Sequence, residues 1–103
     1  MIGRIVEVAD DHRHLFVSRG FLVVQDTEGE RKELGQVPLD DIAAVIANAY
    51  GLSYTNNLLV ALVERGAPLV ICAANHNAVG MLWCIDGNYQ QAKRFDEIGR
   101  AHV

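Results

Sequence analysis

Val37-Pro38-Leu39-Asp40-Asp41-Ile42-Ala43-Ala44-Val45-Ile46-Ala47 is the stretch on which the fold turns. Its second half is a short apolar run, and periodicity alone cannot assign such a run to strand or helix. Proline and two aspartates punctuate the chain just before it. Hairpin patterns precede the run and a better helix follows it, so Ile42 to Ala47 reads as a strand.

Upstream, Arg4 to Val8 is a short β-rich stretch ended by Asp10-Asp11, which favour a turn. His14 to Ser18 resumes the strand pattern. Arg19-Gly20 makes a tight corner, because glycine takes the positive φ that other residues resist. Phe21 to Gln25 is the next strand, Asp26-Thr27-Glu28-Gly29 a hairpin tip, and Glu30 to Leu34 a charged strand expected at a sheet edge.

Downstream, Thr55 to Arg65 is the best helix. Ser53 or Thr55 can cap its free amides, Gly66 suits the left-handed position past its end, and Pro68 prevents continuation. Leu58, Leu59 and Leu62 share one helical face, with Asn56, Asn57 and Glu64 opposite. Val60 falls on the polar side, as if that side were covered by something. Pro68 to Cys72 and Val79 to Ile85 read as strands separated by an Asn75-His76-Asn77 turn. Tyr89 to Glu97 reads as the start of a linker helix. The order is a β-meander, one capped helix, two strands and an unfinished helix, which is an α+β, mainly β, class.

The chain has 103 residues, half of them apolar, enough for one domain with a real core. Its formal net charge is −4, whereas nucleic-acid binders usually carry a basic excess. A DNA-serving role therefore puts the main DNA-holding surface elsewhere and leaves a local patch here. Two cysteines make no secreted disulfide framework, the first residues lack the build of a signal peptide, and no apolar run approaches the ~20 residues of a membrane helix. A cytoplasmic protein with reduced thiols is expected. Ile98 to Val103 matches the translation of a common sequencing adapter, so a truncated gene read is expected, with residues 1–86 a domain, 87–97 the start of the linker and 98–103 read-through.

Few residues suggest chemistry. Cys72, His76 and Cys84 resemble metal ligands only loosely, without the paired spacing of zinc sites, and packing is the plainer reading. Asp40-Asp41 more readily close a turn than hold magnesium. Ser53 to Asn57 is explained by capping, although helix amides attract anions. His12-Arg13-His14 is a set of basic and aromatic groups on a turn that could meet a phosphate or stack on a base, offset by Asp10-Asp11. No phosphate loop, dinucleotide fingerprint, nucleophile elbow or metalloprotease motif is present.

Four segments together resemble the CRISPR-associated integrase family, here Cas-one, in the form found beside type II systems. They are Arg19-Gly20-Phe21-Leu22-Val23-Val24, Gly35 to Ile46, Leu52 to Leu59 running to Glu64-Arg65-Gly66-Ala67-Pro68-Leu69-Val70, and Asn75-His76-Asn77 to Leu82-Trp83. The resemblance spans about Gly3 to Arg94. Family members often carry proline where Ala78 and Cys84 stand. It implies the amino-terminal β-sandwich-like domain of a metal-dependent DNA endonuclease that inserts spacers into the CRISPR array in antiviral defence. Magnesium or manganese would serve the full-length enzyme, held by glutamate, histidine and aspartate in a helical carboxy-terminal domain. No catalytic or metal residue is therefore expected in this chain, which should be inactive alone. The implied partners are a second copy, a second adaptation protein, and the DNA fragment and repeat DNA. His12, Arg13 and His14 are then the candidates for DNA contact, and Val60, Phe21 and Trp83 those for dimer formation or packing. A stand-alone protein–protein interaction module is the alternative.

Overall fold

The structure, a computed structural model, describes residues 3–85. Eight strands and one α-helix follow in the order β1 (Arg4–Val8), β2 (Arg13–Ser18), β3 (Phe21–Asp26), β4 (Glu33–Pro38), β5 (Ile42–Ala47), β6 (Ser53–Tyr54), α1 (Asn56–Glu64), β7 (Leu69–Cys72) and β8 (Ala78–Leu82). One mixed sheet has the order β1-β5-β7-β8 and the other β4-β3-β2-β6. The class is α+β, mainly β.

The deciding stretch divides into three pieces. Val37 and Pro38 finish β4, Leu39–Asp41 is a single 3-10 turn, and Ile42–Ala47 is β5. Pro38 lies on an edge strand, where a missing N–H can be tolerated. Leu39, only 2% exposed, pins the turn into the core. β5 lies between β1 and β7 and is parallel to both. Strands in such a position read as continuous apolar runs rather than alternating ones, which explains why periodicity could not assign this segment.

Three expectations are revised. The charged strand is Glu33–Pro38 rather than Glu30 to Leu34, because Arg31 takes a left-handed φ of 54° within the preceding turn; the strand still forms an edge. β1 does not open a meander. It pairs in parallel with β5, and the meander consists of β2, β3 and β4. Parallel pairing needs a long connection, here the whole three-stranded excursion between β1 and β5. The last strand is Ala78–Leu82 rather than Val79 to Ile85. The expected linker helix and residues 98–103 lie outside the described residues.

The helix behaves as its sequence dictates. The Thr55 hydroxyl accepts the Leu58 amide at 3.2 Å. At the other end Ala67 N–H donates to the Leu62 carbonyl at 2.9 Å and Gly66 N–H to that of Val63 at 3.0 Å, with Gly66 at φ +73°. This paired closure needs a left-handed residue, which glycine supplies without a Cβ clash. Leu58 and Leu62 are fully buried against Leu15, Leu22, Val45 and Leu69, so one core draws on both sheets and the helix. Each such side chain contributes roughly 1.5–3 kcal/mol.

Candidate functional site

Val8, Ala47 and Ile71 lie level across β1, β5 and β7, so the loops that follow these strands leave at one end of the sheet. His12 sits there in a left-handed conformation, φ 59°. Its amide donates to the Tyr50 carbonyl at 2.9 Å, and its own carbonyl accepts the Thr27 amide at 3.1 Å and hydroxyl at 3.0 Å. The Asp11 carboxylate accepts the Tyr50 amide at 2.9 Å. The rings of His12 and Tyr50 meet edge to face, 5.7 Å apart. Three loops are thereby locked together, leaving the Tyr50 side chain 75% exposed at their apex.

Of the three expected DNA-contact residues, the structure puts two here. Arg13 lies 3.5 Å from Asp26 and 4.0 Å from Asp10, and donates to the Asp11 carbonyl at 2.9 Å. Its charge is largely spent within the fold. His12 has Glu28 at 3.8 Å. His14 is held apart from this end, on β2, where its Nδ1 meets Ser53 Oγ at 2.6 Å and its ring stacks on Phe16.

What the sequence reading missed is that the β3–β4 turn reaches the same end. Asp26 N–H donates to the Lys32 carbonyl at 2.9 Å while the adjacent Thr27 grips His12. Arg31 and Lys32 thus join the His12 turn, and among the described residues neither forms an ion pair, unlike Arg4, Arg13 and Arg65. The charged character of Glu30 to Leu34 is the available signal, but in the sequence it reads as an edge strand.

A second polar chain runs through the same loops. Asn48 Nδ2 donates to Glu7 Oε2 at 3.1 Å, and Asn48 Oδ1 meets His76 Nδ1 at 2.8 Å. An ionised carboxylate only accepts, so the amide nitrogen of Asn48 must face Glu7 and its oxygen must face His76. His76 Nδ1 therefore carries the proton. This use of His76 ties the β7–β8 turn to β5.

The metal implied by the resemblance does not fit these residues. Asp40 is engaged by Arg65 at 3.2 Å and Asp41 by Arg4 at 3.6 Å. Among the described residues no three His, Cys, Asp or Glu side chains gather as a cation would require. Cys72 and Cys84 are free thiols, the first half-buried and the second buried. Among the described residues Tyr54 is the one titratable group that is clearly shifted: burial pushes its phenol above the ordinary tyrosine value.

The three pairing candidates lie on separate elements. Val60 is 45% exposed on α1, Phe21 is half-buried at the start of β3, and Trp83 is 50% exposed just past β8. Near Trp83 the sequence reading missed Val79 and Met81, 67% and 58% exposed on β8 itself. No helix among the described residues is long and apolar enough to cross a membrane.

No family model matches the chain, and no curated protein matches it. Solved structures do. A partial Cas6-RT-Cas1–Cas2 complex superposes with a TM-score of 0.68 at 19% identity, over 82% of this chain and 24% of that one. A Cas1 protein from Thermotoga maritima gives 0.65 at 12% identity, over 81% and 26%. A casposase bound to its integration product gives 0.60 at 14% identity, over 78% and 24%. The likeness establishes a shared fold. The chain spans about a quarter of the length of these structures.

Proposed function

We propose that this chain is the amino-terminal domain of a CRISPR adaptation integrase of the type II form, serving dimer formation and contact with the ends of the DNA fragment. The observation that supports this most is the superposition of about four-fifths of the chain on Cas1 and casposase structures. The four sequence segments quoted above point the same way independently. The partners are a second copy, a second adaptation protein of the Cas2 kind, and double-stranded DNA. The nuclease centre, with its magnesium or manganese, belongs to a helical domain beyond residues 3–85.

DNA contact falls to the locked loop end. Arg31 and Lys32 offer cations to phosphates, and Tyr50 offers an exposed ring to a base at a duplex end. His12 contributes by fixing Tyr50. Arg13 and His14, engaged within the fold, are demoted to supports. The reading is tested by sequencing the genomic locus. A frame continuing past residue 97 into a helical domain with glutamate, histidine and aspartate ligands, beside a repeat array, is expected. A natural stop after Val103 with no array nearby would overturn it in favour of an independent interaction module.

A further inference from the structure

We propose that His76 is a further DNA-phosphate contact at the loop end, and that its own protonation gates the contact. The inference deepens the DNA reading above and rests on it. The β7–β8 turn leaves the same end of the sheet as the loops that carry His12 and Tyr50, since Ile71 lies level with Val8 and Ala47. The turn holds His76 in a left-handed conformation, φ 69°. It is closed by Ala73 N–H to the Asn77 carbonyl and by His76 N–H to the Ala73 carbonyl, both at 2.8 Å. A residue other than glycine is uncommon at such a φ. A side-chain tie accompanies it here. Nδ1 donates to Asn48 Oδ1 at 2.8 Å, and the Asn48 amide is turned that way because its nitrogen serves Glu7 at 3.1 Å.

The tie decides what the other ring nitrogen can do. With the proton on Nδ1, neutral His76 leaves Nε2 a bare acceptor, which a phosphate oxygen cannot pair with. A second proton has one place to go, Nε2. It turns that atom into a cationic donor of the kind that binds phosphate in a charge-assisted hydrogen bond. Histidine is the side chain that makes this change between roughly pH 5 and 8. His76 is exposed, and among the described residues it forms no ion pair, whereas His12 has Glu28 at 3.8 Å and His14 is held on β2 by Ser53. The elements tied to the turn bring Glu7 from β1 and Tyr50 from just beyond Asn48, and its own hairpin brings Cys72. Glu7 is the charged group of the three and is already bonded by Asn48. The turn itself, Ala73-Ala74-Asn75-His76-Asn77, carries no carboxylate to compete with a phosphate.

The test uses the full 103-residue chain and a fluorescein-labelled DNA duplex. Nuclear magnetic resonance of the imidazole nitrogens at about pH 8 should show His76 with its proton on Nδ1, and a proton on Nε2 overturns the gate. Anisotropy at low salt should show the wild type binding tighter as pH falls from about 8 to about 5.5. The salt slope should steepen by about 0.9 for each phosphate gained. His76→Asn keeps a residue that tolerates the left-handed φ but takes up no proton. It should lose roughly two- to fivefold of the acid gain, the worth of one exposed ion pair, while the other histidines keep their share. An acid gain in His76→Asn equal to that of the wild type overturns the His76 contact and leaves the DNA reading on Arg31 and Lys32 standing. Absence of DNA binding at every pH, even at the lowest salt, overturns both.

Discussion

Gly51 shows how a single residue positions the candidate site. It holds φ at +73°, and a Cβ there would come within 2.6 Å of His12 Nδ1. Gly51→Ala should therefore strain the backbone and push His12 off Tyr50, costing roughly 1–3 kcal/mol in urea unfolding. It should also weaken DNA binding. Unchanged stability would show that the three loops are not locked as described. Tyr54 makes a pH prediction. Its phenol is pushed above the ordinary tyrosine value by burial. At pH values above the ordinary one, the unfolded chain has lost a proton that the folded chain keeps. Stability is thus complete below the ordinary tyrosine value and is lost as pH rises through the folded one. Tyr54→Phe should flatten that alkaline decline in thermal melts, and an identical decline in both proteins would assign it elsewhere.

At the scale of elements, α1 ties the two sheets together through side chains that the sequence placed on one face. Leu62 is fully buried. Leu62→Ala should cost about 2–5 kcal/mol, a large part of the roughly 5–15 kcal/mol that holds a domain this size. Equilibrium unfolding should show it as a lower denaturant midpoint, and a cost under about 1 kcal/mol would place the helix outside the core. The helix was legible in the sequence because its signals are local: a hydroxyl before it, glycine and proline after it, leucines at helical spacing. The sheets were legible only in part. β2, β3 and β4 follow one another in both sequence and space, so hairpin reasoning found them, although β4 was displaced by the left-handed Arg31. β1 and β5 are partners across a long excursion, and no local pattern encodes which distant strand a strand will join.

For the whole molecule, net charge sets the expectation for DNA. A chain at −4 should bind duplex DNA weakly and only at low salt. Arg31→Glu with Lys32→Glu should weaken it further and lower the slope of log affinity against log salt by about 0.9 for each phosphate no longer neutralised. Fluorescence anisotropy across a salt series reads this directly, and an unaltered slope would remove the loop end from the DNA surface. With magnesium or manganese added, the same chain should leave DNA uncut, and cleavage above a buffer control would contradict the assignment of the reactive centre to another domain. The amino-acid sequence by itself determined the class, the helix and its caps, the ambiguous run as a strand, and the candidacy of the first turn, because each depends on neighbours within a few residues. Only the tertiary structure decided that Arg13 is spent on aspartates while Arg31 and Lys32, on the turn that Thr27 ties to His12, form no ion pair among the described residues. It alone also left Val79 and Met81 exposed on β8. Charge pairing and edge exposure depend on which distant segments pack together, and that is a property of the folded chain.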